Sequence, residues 1–485
     1  MSERPAVPHP LPMRLKAIHG FGAVAFGVKD SGFSFFLLPF YNQALGMDAG
    51  LVSLALGLAL LVDAVVDPLI GNLSDRTWSR WGRRLPWLYI AAVPLALMWV
   101  LLWSPPGSEA PSFWGLFGIA VGVRILLSAC EVPSVSLVPE LTQDYDERTT
   151  LFRYRYLSGW CGGILMMILA YTVFVPGSQG VLNADGYAAF GIFGAVLMVA
   201  SVIGSAAGQH HLVAHYPDQK PGPFSFSGAF SEIREAFSEK AFLIFAAGGL
   251  AAYVSQGMTF SMTNYVMIFV WMLDGAALSL YPVTLFLSVV LMFFIVGPMH
   301  RKLGKPRSAA YAALIALVLF LVPYVLFLLG LWPQVGTLTS TLCLYVLLLF
   351  GNTFAVVVMI SASSMIAEIV EAFQERTGRR AEGSFYSGNW LVQKCATGLG
   401  IFLTGGVISA SGLSSDASPG AVPMDVLSTL ILLYGGITIV LTLIAAFWLI
   451  RFPINRADHE ARVAVMSAGD DATEPQVEVP HHPPR

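Results

Sequence analysis

Asp63 and Asp67 stand four residues apart in a segment, 51–73, that is otherwise apolar or small up to Pro68. On a helix that spacing aims both carboxylates to one side. A carboxylate at the centre of a bilayer costs at least ~3 kcal/mol on insertion scales. Two side by side repel, so one must take a proton or a cation must sit between them. A structural pair with buried partners is the alternative reading, but ionisable residues within membrane spans more often mark a pathway.

Five more ionisable side chains lie well inside apolar stretches: Lys29, Asp30, Arg124, Glu131 and Lys394. All of the seven except Arg124 are expected to face a central cavity between two halves of the chain. Their sum is three positive and four negative charges. One uncompensated negative charge is what an empty cation-binding cavity shows, and Arg155, near the end of its stretch, balances it if buried. Lys394 lies near mid-depth, where a buried ammonium needs a carboxylate partner or loses its proton. Asp63 or Asp67 is the expected partner, and a cation competing with Lys394 for these acids makes a coupling device. Glu131 precedes Pro133, which frees a backbone carbonyl that can face a cavity. Ser128, one turn earlier, adds an oxygen, and hard cations take oxygen ligands.

These residues need a membrane scaffold, and the composition supplies one. The 485 residues are 56% hydrophobic and only 12% charged, with mean hydropathy +0.68; an ordinary soluble protein carries roughly 25% charged residues. Twelve apolar stretches are long enough to cross about 30 Å of hydrocarbon. They run at about 17–44, 50–73, 86–104, 112–139, 154–175, 187–208, 241–272, 276–298, 308–330, 337–365, 384–410 and 424–450. None alternates with period two, as strands of a transmembrane barrel do. Of 27 basic residues, 24 lie in the termini, at the expected cytoplasmic helix ends or in the even-to-odd loops, and the other three are Lys29, Arg124 and Lys394. The intervening loops carry Asp48, Glu109, Asp185, Asp274 and Asp416 instead. The positive-inside rule places both termini in the cytoplasm. The predicted fold is an all-α integral membrane protein of twelve spans in two six-helix halves. Residues 1–208 form the first half and 209–240 a cytoplasmic linker. Residues 241–455 form the second half and 456–485 a disordered, polar cytoplasmic tail.

Other classes find little support. There is no basic patch of the kind nucleic-acid binders need and no Walker motif for ATP-driven transport. Cys130, Cys161, Cys343 and Cys395 lack CxxC spacing and read as small core residues. His211 and His215 are four apart, but Pro217 interrupts the helix that would aim Asp218 at a shared metal, so a solvated loop is expected. The first apolar run lacks a convincing cleavage site and is expected to stay as the first span. A membrane-embedded lipid-linked transferase would need acids or histidines at a membrane face. Here the acids are at mid-depth, and His19 is the only histidine near a span's interior.

The run Asp63-Ala-Val-Val-Asp67-Pro68-Leu-Ile-Gly71-Asn-Leu-Ser-Asp75-Arg76, followed by Arg80-Trp81-Gly82-Arg83-Arg84-Leu-Pro86, resembles the glycoside–pentoside–hexuronide:cation symporters. These form the melibiose-carrier-like branch of the major facilitator superfamily. Glu131-Val-Pro133 with Pro139-Glu140-Leu-Thr and Glu147-Arg148-Thr also matches, as does Glu368-Ile-Val-Glu371 with Thr377-Gly378-Arg379-Arg380-Ala-Glu382-Gly383 and Lys394. The resemblance implies symport of a glycoside or related polar solute with Na⁺ or H⁺, by alternating access. It implies no other cofactor, a monomer, and residence in the plasma (inner) membrane.

By the same resemblance Asp63, Asp67 and Ser128 hold the cation, with Na⁺ at the two acids as one option. Val66 stands where the melibiose carrier has a cation-site asparagine, which weakens the case for sodium over proton. Lys29, Asp30, Glu131, Arg155 and Lys394 match solute-binding positions. Val135 and Met359 replace two sugar-stacking tryptophans, which argues against a simple galactoside. Lysophospholipid carriers of the same branch are the alternative. Finally, Arg83, Arg84, Arg148 and Arg380 can pair with Glu140, Glu147, Glu368, Glu371 and Glu382 across the two halves as a cytoplasmic gate. Single exposed pairs contribute only ~0–1 kcal/mol, but a network at a closing interface biases one state over another.

Overall fold

The computed structural model describes residues 10–107, 110–142, 144–216, 226–378 and 381–454. The 456–485 tail, the expected gate residue Arg380 and residues 217–225 of the linker lie outside them. Among the described residues, twelve helices are long and apolar enough to cross a membrane: α1 (Met13–Ala44), α2 (Ala49–Asp75), α3 (Leu85–Trp103), α4 (Phe113–Leu141), α5 (Glu147–Phe174), α6 (Tyr187–Val213), α7 (Lys240–Val270), α8 (Ala276–Leu303), α9 (Lys305–Leu328), α10 (Leu338–Thr377), α11 (Glu382–Ser411) and α12 (Met424–Ile450). No strand occurs among the described residues.

Local chemistry sets the boundaries. Side chains of Asp48, Ser112 and Thr337 accept hydrogen bonds from the first free N–H groups of α2, α4 and α10. Gly378 and Gly412 end α10 and α11 in the left-handed conformation, at φ 70° and 78°. The sequence predicts α10 to stop near residue 365, yet it continues to Thr377, 40 residues in all. At 1.5 Å per residue that is about 60 Å, twice the hydrocarbon thickness, so its last turns carry Glu368, Glu371 and Arg376 beyond the apolar layer. The linker is also more ordered than a solvated loop: Phe226–Ala236 is a helix packed on α11 and α2.

The two sets of six spans meet mainly along α2 and α11, and along α1 with α7. Close approach of α2 and α11 needs glycine. A Cβ on Gly57 would stand 2.8 Å from the Gly398 carbonyl oxygen, and one on Gly405 only 1.9 Å from Ser53 Oγ.

At the end bearing loops 45–48, 175–186 and 271–275, neutral hydrogen bonds close the seam. Asn264 Nδ2 donates to the Phe35 carbonyl and Tyr171 Oη donates to Asn264 Oδ1, both at 2.7 Å. Tyr265 Oη donates to Asn42 Oδ1 at 2.9 Å, and Gln43 Nε2 to the Ser414 carbonyl at 3.2 Å. Helices α1, α5 and α7 each finish here in a π-helical turn, at Phe40–Ala44, Ala170–Phe174 and Val266–Val270. The wider turns hold Asn42 and Tyr171, and Tyr265 directly precedes the third.

Asp274 completes the seal. Its Oδ1 accepts from Ser178 N at 2.5 Å and Gly275 N at 2.8 Å, and these donors, Ser178 first, hold the carboxyl below the usual carboxylate range. Because the folded value is depressed, this anchor is fully present above the ordinary carboxyl pKa of ~3.9 and is lost as pH falls through the folded value. Asp274→Ala is expected to loosen the same end at neutral pH. Faster amide exchange over 171–182 and 264–275, with the rest of the protein unchanged, is the predicted readout; unchanged exchange there refutes it.

Candidate functional site

The site is assembled from four spans of the first half and one of the second. Asp63 and Asp67 come from α2, Arg124, Ser128 and Glu131 from α4, Lys29 and Asp30 from α1, Arg155 from α5 and Lys394 from α11. Arg124, Ser128 and Glu131 are spaced four and three apart and so share one face of α4. The side chains fall into two groups.

In the first group Asp63, Arg124 and Ser128 are buried and Asp67 and Lys394 are partly so. Asp63 is 3% exposed. Its Oδ2 accepts from Lys394 Nζ at 2.9 Å and from Arg124 Nη1 at 3.2 Å. Lys394 also pairs with Asp67 Oδ2. Ser128 Oγ lies 2.8 Å from Asp63 Oδ1 and 2.6 Å from Asp67 Oδ1. The hydroxyl has one hydrogen, so it donates to one of the two. The other short contact is where a proton would be held. Lys394 thus has both expected partners, and it ties α11 to α2 across the two halves.

The second group is open to solvent. Lys29 Nζ pairs with Asp30 Oδ1 at 2.6 Å and reaches Glu131 Oε2 at 4.0 Å. The Asp30 side chain is 69% exposed although it lies inside a span. A charge so placed faces a water-filled cavity rather than lipid. With the loop end sealed, that cavity opens toward the end bearing Arg83 and Arg84. Arg155 closes the group from α5; it is buried, donates to Ser134 Oγ at 2.7 Å, and lies over the Phe26 ring at 5.6 Å.

Arg155 is buried, the case in which it balances the charge. One expectation needs correction: Arg124 joins the site instead of standing apart from it. Four bases, Lys29, Arg124, Arg155 and Lys394, therefore face four acids, Asp30, Asp63, Asp67 and Glu131, and the expected negative excess is absent. The signal for Arg124 is its one-turn spacing to Ser128. A second residue that the sequence does not single out is Trp390, 44% exposed and one turn before Lys394 on α11.

The described charges of the expected gate are partnered differently from the cross-half pairing expected. Arg83 Nε bonds Glu140 at 3.0 Å, and Arg84 pairs with Glu140 at 3.6 Å and with Asp75. Lys16 pairs with Glu147 at 3.1 Å, Lys305 with Glu368 at 2.7 Å, and Arg376 with Glu239. None of these ion pairs joins the two halves: Arg376–Glu239 ties the second half to the linker, and the others lie within one half. Arg148 Nε donates to the Thr142 carbonyl at 3.0 Å, and Glu371 and Glu382 are engaged as well. His19 is buried against Gln209, at 2.8 Å, rather than displayed at a membrane face.

A profile of the MFS/sugar transport protein family matches residues 18–456. The chain belongs to this family. It is a multi-pass membrane transport protein, and the transferase reading is set aside. An uncharacterized symporter of Synechocystis sp. is 26% identical over 91% of this chain and 95% of that protein. The isoprimeverose transporter of Lactiplantibacillus pentosus is 25% identical, over 78% of this chain and 76% of its own. Among solved structures the nucleoside transporter NupG shares the fold, with TM-score 0.61 at 16% identity, covering 91% of this chain and 100% of that one. Symporter relatives agree with the resemblance to glycoside–pentoside–hexuronide:cation symporters read from the motifs.

Lys394→Ala removes the one ammonium shared by Asp63 and Asp67 and the charge link between α2 and α11. The variant is expected to insert and express as the wild type while its rate of solute accumulation falls at least about tenfold. Equal uptake at equal protein level would leave Lys394 a packing residue.

Proposed function

We propose that this protein is a secondary active symporter that moves a glycoside or related polar solute together with a cation by alternating access. Na⁺ and H⁺ are the two coupling ions the resemblance allows. The observation that carries this reading is the solvent-reached Lys29–Asp30–Glu131 cluster, set beside the buried Asp63–Asp67–Ser128 group in one cavity between the halves. Hydroxyl-rich solutes suit two accessible carboxylates, because each can accept paired O–H donors. Exposed Trp390 offers an aromatic face on the opposing span, and aromatic faces take the apolar side of a sugar ring. Lys394, between the two groups, senses both: it neutralises the acids and borders the solute space.

The same reading assigns the two ends. In this reading the positive-inside rule assigns the basic loops and both termini to the cytoplasm, which makes the end bearing Arg83 and Arg84 the inner one and the state an inward-open one. The sealed end, with Asn264, Tyr265 and Asp274, is the outer gate. Arg83, Arg84, Arg148, Glu368, Glu371 and Glu382 lie at the inner one and exchange partners on closure, and the resemblance assigns Arg380, outside the described residues, to the same gate. The proposed units are 1–208 and 241–455, joined through 209–240, and each transporter works as a monomer.

The test begins with thermal-shift screening of sugars, glycosides and lysolipids against the purified full chain, followed by calorimetry. Asp30→Asn and Glu131→Gln each remove one charge-assisted acceptor contributing roughly 1.5–3 kcal/mol. Affinity for the solute found is therefore expected to fall by about ten- to a hundredfold in each. Unchanged affinity in both variants moves the solute site elsewhere and favours an amphiphile held by apolar walls. Trp390→Ala is expected to weaken the same solute by about five- to tenfold, seen as a lost ring contact in calorimetric enthalpy and affinity.

A further inference from the structure

The buried group contains one more cation than an empty cation site can hold. Asp63 and Asp67 supply two negative charges, and Lys394 and Arg124 already match them. A hard cation such as Na⁺ needs several oxygens free to turn toward it. Both Oδ2 atoms are taken, Asp63 Oδ2 by Arg124 and Lys394 and Asp67 Oδ2 by Lys394, and the two Oδ1 atoms share the single hydrogen of Ser128 Oγ, which leaves one oxygen without a donor, too few for Na⁺.

The two resident cations differ in how they can yield. Lys394 has a long flexible stem and a partly exposed side chain, so its ammonium can swing aside. Arg124 is 5% exposed and its guanidinium lies 4.3 Å from the centre of the Phe33 ring. An arginine does not shed its proton in proteins, and burial against the Phe33 ring holds it beside Asp63. Na⁺ at Asp63 would add a second fixed positive charge beside Arg124 in a low-dielectric interior, where like charges repel strongly.

We propose that Arg124 is a resident cation that takes the place of Na⁺ at Asp63, so that transport by this chain proceeds without Na⁺. The transport consequence rests on the symport reading above; the binding consequence does not. The test therefore starts with Na⁺ alone. The purified full chain is melted in NaCl and in choline chloride at equal ionic strength, and ²²Na⁺ binding is measured by equilibrium dialysis. The wild type is expected to melt alike in both salts and to retain no saturable ²²Na⁺. Arg124→Gln is expected to gain a saturable, Na⁺-specific rise in melting temperature and an affinity for Na⁺ at least about tenfold above wild type. Arg124→Lys, which keeps the charge, is expected to gain a smaller response than Arg124→Gln.

Saturable Na⁺ binding by the wild type overturns the proposal, whether or not the variants fold. So does a folded Arg124→Gln that stays indifferent to Na⁺. Solute counterflow in vesicles without any ion gradient is the separate arm: its absence refutes the transport reading and leaves the Na⁺ result standing. Counterflow in the wild type that vanishes when choline replaces Na⁺ overturns the role given to Arg124.

Discussion

The structure depends on matching charge within the membrane-spanning helices, where water reaches only part of the site. Eight ionisable side chains lie at depth between the halves, and four bases face four acids. In a low-dielectric interior an unmatched member costs several kcal/mol after relaxation. Helix positions in this region follow from that constraint. α4 must turn one face, carrying Arg124, Ser128 and Glu131, toward α2 and α1. α11 must approach α2 closely enough for one lysine to reach two aspartates, and Gly57, Gly398 and Gly405 permit that approach.

The two ends of the seam solve the problem of opening in different ways. The sealed end uses neutral donors and acceptors: Asn42, Gln43, Tyr171, Asn264 and Tyr265. Such bonds contribute roughly 0.5–1.5 kcal/mol each, so a handful sums to a few kcal/mol, the scale of a two-state equilibrium. The open end uses charges, and these have found partners within their own half, as in Arg83–Glu140 and Lys305–Glu368. Closing it then exchanges ion pairs instead of creating them from solvent. An exchange of this kind is nearly balanced, which suits a gate that must work in both directions.

Much of this can be read from residues alone. The twelve spans follow from apolar length, and the acid pair from its four-residue spacing. Lys394 declares its need of a carboxylate because no lone ammonium is stable at that depth. Features that depend on another helix cannot be read in this way. Arg124 looks isolated in the sequence since its partner Asp63 is 61 positions away. The extension of α10 to Thr377 escapes notice because its last turns are polar and lie past the apolar layer that hydropathy detects. The π-helical turns at Phe40–Ala44 and Val266–Val270 depend on tertiary bonds across the seam, such as Tyr265 to Asn42, with no local sequence mark. Pairing of the gate charges across the halves is the natural expectation, because sequence shows which charges share an end of the molecule. It does not show whether that end is open.

Lys394 joins these threads. Among the described residues it is the only one of the second half whose charge enters the buried acid group, and its ammonium reaches Asp63 and Asp67 together. Any motion that carries α11 away from α2 at this depth must leave two carboxylates against Arg124 alone. That imbalance has to be relieved by a cation, by a proton, or by keeping α11 in place. Conversely, a charge delivered to the acids releases Lys394 and frees the interface to move. The solute cavity borders the same ammonium, so occupancy there alters its freedom as well. Coupling in this fold then needs no long relay: one flexible cation, held between a fixed guanidinium and a solvent-filled cavity, links the state of the acids to the position of a helix.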